Sequence, residues 1–270
     1  MTIGGGALPP GETYLSDTPV LRAHAGTQPD LYLCWNDIPL DAATIDVAVH
    51  LHGFSQQRGE MLLSEKAPRS GLDLSGRSRP TLGVLPRGNW IRSTWYDFPA
   101  LLDGGLDTLV ADALEQFGLV ARRPLALDRL ILSGHSGGGM PAIDAIAGAV
   151  RPPDELYVFD GLYGRDPSLG DPMQGLEIIE AWLAARFSAE PERPGALRVV
   201  YIERQTGPFS REVQKLIAHH LAMTDPETAP GSLWRRYRVE QSGVPHGYVA
   251  AICQPQLLTD AAIRFDWTQI

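Results

Sequence analysis

Short apolar runs alternate with longer amphipathic stretches along most of this chain. The apolar runs are rich in Leu, Ile and Val, are often unbroken by polar residues, and are bounded by Gly, Pro or charged positions. This pattern is typical of strands that are buried on both faces of a sheet. It predicts strands at 31–35, 45–51, 81–85, 129–133, 156–159, 197–202 and 236–241.

Between these strands, apolar residues recur at helical spacing. From Leu106 to Phe117 they fall on one face of a 3.6-residue period, and the stretch from Met140 to Val150 opens at Pro141, which a first helical turn accepts. The spacing predicts helices at 106–117, 140–150, 172–187 and 211–223. Alternating strands and helices favour the α/β class, with a mostly parallel central sheet, helices on both faces and ligands at the carboxyl ends of the strands.

Length and composition fit a globular chain organised as a single domain over residues 1–270. The chain has 44% hydrophobic and 20% charged residues, which is enough apolar material for a full core. Residues 1–30 are rich in Gly, Pro and Thr. We expect them to wrap the surface as loop and edge strand.

Charge and hydropathy exclude several classes of partner. A net charge of −9 without a basic face argues against nucleic acid. No apolar stretch is long enough to predict a membrane span. The first residues lack a secretory pattern, which favours a cytoplasmic protein while leaving a removed signal open. Cys34 and Cys253 are far apart and outside any metal-ligand spacing, so two buried free thiols are expected and no metal site.

The pattern G-x-S-x-G follows the apolar run 130–132, with Ser136 at its centre. A strand that enters this pattern and continues into a helix is typical of a nucleophile elbow, in which a tight turn lifts the serine hydroxyl above the sheet. The turn needs nearly side-chain-free residues two positions before and after the serine, and Gly134 and Gly138 supply them. The alternative is a serine in a glycine-rich loop at the start of a helix.

The order of four motifs resembles that of the α/β-hydrolase superfamily, from about residue 31 to the end. These are VHLHGF at 49–54, LSGHSGGG at 132–139, VFDG at 158–161 and VPHG at 244–247. The resemblance implies an α/β-hydrolase fold and an oxyanion loop, nucleophile, acid and base in that order. The stretch 161–195 has room for about one helix, so no large cap domain is expected.

The motifs indicate Ser136 as the candidate nucleophile and His246 as the candidate general base. A serine hydroxyl needs a base to take its proton as it attacks a carbonyl carbon, and an imidazole near neutral pKa can take that proton and return it to the leaving group. His246 follows a strand in the turn-rich loop 242–247. The other histidines are expected to have structural or surface roles: His24, His50, His52, His135, His219 and His220.

Two carboxylates compete for the role of triad acid, which orients the histidine and stabilises its charged form. Asp160 ends the strand 156–159, a position that some lipase-like members of the superfamily use. Glu203 ends the next strand, at the position more members use, beside Arg204. Asp160 is favoured, and Glu203 remains open.

The resemblance also implies an oxyanion hole and a substrate pocket. The backbone N–H groups of Gly137 and Phe54 are the expected oxyanion donors, with Gly53 the alternative to Phe54. The aromatic-rich stretch 85–98 is similar to loops that line the site in feruloyl-esterase and polyester-depolymerase branches, so Trp90 and Trp95 are candidates for substrate binding. The alternative is that these aromatic side chains serve the ordinary packing of a long loop. Within that stretch, Arg87 and Arg92 are expected to be solvated, with contact to an acidic substrate as the alternative.

The leading functional interpretation is a serine hydrolase that cleaves a small-molecule or polymeric carboxylic ester through an acyl-enzyme, without a cofactor. An acyltransferase, a lyase or a perhydrolase uses the same triad, as does a peptidase or thioesterase. A binding protein that has lost catalysis is a further alternative. Such proteins usually lose the Ser, the His or the glycines, and all are present here.

Overall fold

The computed structural model describes residues 6–53, 60–91, 95–163, 174–190, 192–203, 205–224, 231 and 233–268, with backbone alone at 91, 95, 96 and 174. Its strands are β1 (Ala7–Leu8), β2 (Gly11–Leu15), β3 (Leu31–Trp35), β4 (Ile38–Pro39), β5 (Thr44–Leu51), β6 (Thr81–Pro86), β7 (Asn89–Ile91), β8 (Trp95–Asp97), β9 (Ala126–His135), β10 (Glu155–Phe159), β11 (Ala196–Tyr201) and β12 (Tyr237–Gln241). Its helices are α1 (Leu63–Ser70), α2 (Gly105–Ala121), α3 (Gly139–Ala147), α4 (Gln174–Ala189), α5 (Gly207–Ala222), α6 (Leu233–Arg236) and α7 (Val249–Thr259).

One eight-stranded sheet organises these elements, in the order β12-β11-β10-β9-β5-β6-β3-β2. The strands from β12 to β6 run parallel to their neighbours, whereas β3 is antiparallel to both β6 and β2. From β5 the chain adds β6 on one side, and from β9 it adds β10, β11 and β12 on the other. The direction in which strands are added therefore reverses between the neighbouring strands β5 and β9. In open α/β sheets, ligands bind at the carboxyl ends of strands near such a reversal.

Each face of the sheet carries its own apolar core. Alternate side chains of each strand point to opposite faces, so Leu130 and Leu132 of β9 belong to one core and Ile131 to the other. Apolar side chains of α2, α3, α4 and α5 pack on the first face. Those of α1 and α7 pack on the second. The central strands are therefore covered on both sides, as their unbroken apolar runs predict.

The prediction of a mostly parallel sheet with helices on both faces is confirmed. Residues 11–15 form β2, the strand at one end of the sheet order. Between β10 and β11, the described residues contain one helix, α4, and no cap. Cys34 and Cys253 are both buried and free, as expected.

Candidate active site

Ser136 lies at the carboxyl end of β9, in a one-turn helix at 136–138 that leads directly into α3. Its φ of 52° is in the left-handed region, which an L side chain rarely adopts. The turn needs the glycines around it. A Cβ on Gly134 would lie 2.4 Å from the Gly138 carbonyl oxygen, and one on Gly138 would lie 2.1 Å from that of Leu51. The local geometry is that of a nucleophile elbow.

Ser136, His246 and Asp160 form a continuous hydrogen-bonded line. The Ser136 Oγ lies 2.8 Å from His246 Nε2, and His246 Nδ1 lies 2.6 Å from Asp160 Oδ2. Ser136 and Asp160 are 4% and 6% exposed, whereas the His246 side chain is 45% exposed. The three residues follow β9, β10 and β12, so distant parts of the chain meet at the carboxyl ends of these parallel strands.

The Asp160 carboxylate is held by groups from the neighbouring strand end. The Asp160 N–H donates to the Val200 carbonyl oxygen at 2.7 Å. The φ of Asp160 is 45°, so the backbone turns sharply at this residue. Oδ1 then accepts from the Ile202 N–H at 2.9 Å and from the Thr206 hydroxyl. Burial acts to raise the pKa of Asp160, but hydrogen bonds from His246, Thr206 and Ile202 outweigh it and leave the pKa below its ordinary value. The carboxylate is therefore ionised at neutral pH.

Glu203, the other candidate acid, points elsewhere. Its carboxylate pairs with the Arg211 guanidinium at 2.6 Å, and both side chains are nearly half exposed. The sequence favours Asp160 but does not exclude Glu203, because both follow a strand. The structure brings Asp160 and not Glu203 to His246.

His135, the variable residue of the elbow, braces the loop that carries His246. Its Nε2 lies 2.8 Å from the His246 carbonyl oxygen, so that nitrogen is the protonated one. The two imidazole rings lie 5.0 Å apart, centroid to centroid. Burial and the nearby His246 lower the pKa of His135 to about 4. His135 is therefore a neutral donor that fixes the backbone of its neighbour.

Next to the elbow, the loop after β5 brings Gly53 against Ser136. His52 fixes this loop as expected, since its Nε2 accepts from the Gly88 N–H at 3.0 Å and its Nδ1 donates to the Gly53 carbonyl at 2.9 Å. Gly137, one predicted oxyanion donor, follows Ser136 in the elbow and is partly exposed. Phe54, the other, lies outside the described residues.

The aromatic stretch contains a hairpin, β7 paired with β8, where the sequence suggests a long loop. β8 packs against the turn that carries Ser136, which brings this segment to the site. Trp90 is partly buried against the main core. The side chain of Trp95 lies outside the described residues, as does Arg92.

The expectation that Arg87 is solvated is wrong. The residue is 3% exposed, and its guanidinium donates to the backbone carbonyls of His24, at 2.8 Å, and Thr27. Five N–H donors let an arginine satisfy several carbonyls at once, so it fastens the N-terminal segment to the end of β6. An apolar sequence context gives no signal for this, because the partners lie about 60 residues away.

Two residues at the site lie outside the motifs. The Tyr163 hydroxyl lies 3.5 Å from the Ser136 Oγ, three residues after Asp160. Burial and the Asp160 charge raise the pKa of Tyr163 against the hydrogen bond from Ser136, so its hydroxyl keeps its proton. Lys66 of α1 reaches the Gly53 carbonyl. A lone tyrosine or lysine in a sequence carries no signal of such contacts.

Buried neutral histidines predict an acid-labile fold. Burial lowers the pKa of His50 to about 3 and that of His135 to about 4, and it holds the pKa of His52 well below its usual value. The unfolded chain protonates these rings below about pH 6.5. Unfolding therefore takes up protons, and stability must fall as the pH decreases from about 6.5 towards 4.

Urea unfolding measured from pH 8 to pH 5 checks this dependence. We expect a shallow dependence of the free energy of unfolding above pH 7 and a steeper decline near pH 5.5, with the slope of about three protons, one for each imidazole. A free energy that stays constant or rises on acidification from pH 7 to pH 5 would contradict the burial of neutral imidazoles.

In the described part of the chain, no helix combines the length and apolarity that a membrane crossing requires. Nor do the described histidine, cysteine and carboxylate side chains gather in threes as a metal site would need.

The chain is similar to known proteins in its structure and not in a sequence match. No family model matches the sequence, and no curated protein does. A ferulic acid esterase is similar over 96% of this chain and 98% of its own, with a TM-score of 0.54 and 14% identity. An S-formylglutathione hydrolase from Staphylococcus aureus is similar over the same shares, with a TM-score of 0.52 and 11% identity. With the sheet order and the elbow, this likeness shows that the chain has the α/β-hydrolase fold.

Proposed function

We propose that this protein is a serine hydrolase that cleaves carboxylic esters through an acyl-enzyme intermediate, with Ser136, His246 and Asp160 as its triad. The observation that carries the proposal is the hydrogen-bonded line from Ser136 Oγ to His246 Nε2 and from His246 Nδ1 to Asp160. A buried serine in a strained turn, a base within hydrogen-bond distance and an ionised orienting group together meet the requirements of nucleophilic catalysis.

In the first step, Ser136 Oγ attacks the ester carbonyl carbon while His246 Nε2 takes the hydroxyl proton. The C=O double bond becomes a C–O⁻ single bond in the tetrahedral intermediate. When this collapses, the bond to the alcohol oxygen breaks, and His246 returns the proton to that leaving group. Asp160 accepts a hydrogen bond from the His246 Nδ1–H throughout, without taking the proton, and stabilises the imidazolium. The products of this step are the free alcohol and the Ser136 ester.

In the second step, a water molecule attacks the acyl-enzyme. His246 takes one proton from this water as its oxygen bonds to the acyl carbon, and then returns a proton to Ser136 Oγ as the acyl bond breaks. The 45% exposure of the His246 side chain supports hydrolysis, because water reaches the imidazole from solvent. The carboxylic acid is released and the free serine is restored.

Backbone N–H groups of Gly137 and Phe54 are the proposed donors to the oxyanion. Support for Gly137 comes from its position, since it follows the nucleophile at the start of the helical turn into α3. Support for the second donor comes from the loop at Gly53, which lies against Ser136. Donors that are fixed before the reaction stabilise charge as it develops.

An ester is the proposed substrate class, and Trp90 and Trp95 are proposed to stack on an aryl group or a sugar of the substrate. One relative in fold is described as a ferulic acid esterase and the other as an S-formylglutathione hydrolase. The hairpin of β7 and β8 lies beside the nucleophile and supplies Trp90 and Trp95 as candidates for substrate binding.

The proposed function is tested by p-nitrophenyl acetate with acid quenching and intact-mass analysis. We expect steady release of p-nitrophenolate and one acetyl group on the quenched protein, mapped to the peptide that contains Ser136. Adding an alcohol acceptor separates hydrolysis from transfer, because a transferase would form the new ester at the expense of acetate. Absence of both turnover and acetyl-enzyme, for this ester and for aryl-acyl esters, would contradict the proposal.

Replacing Tyr163 with phenylalanine tests whether its hydroxyl contacts the reacting ester. The hydroxyl lies 3.5 Å from Ser136 Oγ, where it can donate to an oxygen of the tetrahedral intermediate. Losing one such hydrogen bond lowers kcat/KM by about 3- to 10-fold. Steady-state kinetics on p-nitrophenyl esters measures the loss, with Tyr248→Phe as an exposed control. Equal kcat/KM in Tyr163→Phe and the wild type would show that the hydroxyl makes no such contact.

A further inference from the structure

A buried lysine lies behind the loop that faces the nucleophile. Lys66, in α1, is 6% exposed, and its Nζ donates to the Gly53 carbonyl oxygen at 2.5 Å. The chain has 23 basic residues, of which only Lys66 and Lys215 are lysines. Lys215 lies on the surface of α5, with its side chain 72% exposed, and pairs with Glu212.

Burying an ammonium group is costly unless other groups compensate for its lost hydration. Burial, with the nearby Arg69 charge, lowers the pKa of Lys66 to about 8, although Glu65 acts in the opposite direction. The side chain therefore still carries its charge at neutral pH. A buried cation needs hydrogen-bond acceptors to offset its lost hydration, and the Gly53 carbonyl oxygen is one such acceptor.

The Gly53 carbonyl is fixed from two sides. His52 Nδ1 lies 2.9 Å from it, and because His52 Nε2 accepts from the Gly88 N–H, the Nδ1 carries the ring proton and donates it. Lys66 supplies the second donor. One neutral and one charged donor thus hold a single oxygen, and the charged one makes the stronger hydrogen bond.

Gly53 itself touches the elbow. A Cβ placed on it would lie 2.7 Å from the Ser136 Cβ and 3.1 Å from the His135 carbonyl oxygen. The described end of the next peptide, at Gly53, is therefore adjacent to Ser136. A trans peptide is planar, so its N–H points away from its carbonyl. Groups that fix the carbonyl also fix the direction of the N–H in the same peptide.

We propose that Lys66 is a positioning residue that acts through the Gly53 carbonyl to orient and polarise the peptide whose N–H binds the oxyanion. A cation at the carbonyl oxygen draws electrons from the peptide and strengthens its N–H as a donor. This inference rests on the proposed serine-hydrolase function. It assigns to a lysine outside every catalytic motif a share of the transition-state stabilisation.

Two variants separate this role from simple packing. Lys66→Met keeps a long, unbranched side chain and removes the charge and the donor, and Lys66→Gln keeps a neutral donor. Lys215→Met is the matched control, because it removes the other lysine of the chain from an exposed position. The readouts are kcat and KM for p-nitrophenyl acetate, the Ki of phenylboronic acid, which forms a tetrahedral adduct with an activated serine, and the melting temperature.

For Lys66→Met we expect kcat to fall by about 10- to 100-fold, somewhat less than for loss of a whole oxyanion donor, with KM within about two-fold. The Ki of the boronic acid should rise in parallel with the loss of kcat, because both report the tetrahedral state. Lys66→Gln should lie between Lys66→Met and the wild type, and Lys215→Met should match the wild type.

The inference is overturned if Lys66→Met keeps the wild-type kcat and boronate Ki. It is also overturned if kcat falls while the boronate Ki stays unchanged, or if Lys66→Gln, melting like the wild type, has wild-type kcat and Ki. A purely structural lysine would lower the melting temperature without the parallel change in kcat and Ki. If the wild-type protein neither hydrolyses the ester nor binds the boronic acid, the proposed function itself fails, which is a distinct result.

Discussion

Ser136→Ala should reduce ester hydrolysis to the rate of a protein that only binds the substrate. The alanine leaves the oxyanion donors and the pocket in place but removes the atom that forms the acyl-enzyme. In a serine protease, loss of the nucleophile costs about 10⁶-fold in kcat. We expect a loss of about 10⁴- to 10⁶-fold here. The measurement is kcat with p-nitrophenyl acetate, from protein purified free of host esterases.

The control for this prediction is Ser75→Ala, which changes an exposed serine far from the elbow in sequence. It should retain the wild-type kcat. The Ser136→Ala variant should also fold, because an alanine can follow the same backbone path at a small cost and Gly134 and Gly138 are unchanged. A Ser136→Ala protein with near wild-type turnover would show that the hydrolysis has another origin.

Asp160→Asn has the second-largest expected effect, about 10⁴-fold in kcat. The asparagine Oδ1 can still accept from the Ile202 N–H and the Thr206 hydroxyl, so the local fold should persist. Its NH₂ group, however, would face His246 Nδ1, where the carboxylate oxygen now accepts. The imidazole would then be driven to the tautomer with its proton on Nε2, which cannot accept a proton from Ser136.

Glu203→Gln is the matched control, since both changes turn a strand-end carboxylate into an amide. Glu203 pairs with Arg211 at the surface, and loss of such a pair should leave kcat within about two-fold. The pair of variants decides between the two acids. A large loss in Glu203→Gln with activity retained in Asp160→Asn would transfer the role to Glu203.

The elbow and the central sheet were predictable from the sequence because their constraints are local. A strand buried on both faces must be apolar throughout, and the turn at Ser136 admits only glycine at 134 and 138, where a Cβ would collide with backbone. The apolar strand and the two glycines are each visible in a short stretch of consecutive residues. The class of fold followed from them.

Helices α1 and α7 were not predictable in the same way. Each carries a proline inside its span, Pro68 in α1 and Pro255 in α7, and a proline in a helical pattern normally signals its end. They form because they pack against each other and against the second face of the sheet. Tertiary burial outweighs local preference there.

The roles of individual charged side chains also depend on contacts that only the three-dimensional structure shows. Asp160 and Glu203 both follow a strand, so the sequence favours Asp160 without excluding Glu203, and the contacts with Thr206 and His246 distinguish them. Burial of Arg87 and Lys66 likewise depends on backbone carbonyls elsewhere in the chain. Such contacts have no local signature.

Labelling with a fluorophosphonate, followed by intact-mass analysis and peptide mapping, tests directly whether Ser136 is an activated nucleophile. The phosphorus reacts with a serine only where a base activates it, so the experiment asks about Ser136 and His246 together. We expect one adduct per wild-type chain, mapped to Ser136, and none on the Ser136→Ala variant. No adduct on the folded wild-type protein, or an adduct that persists at another serine in Ser136→Ala, would contradict this expectation.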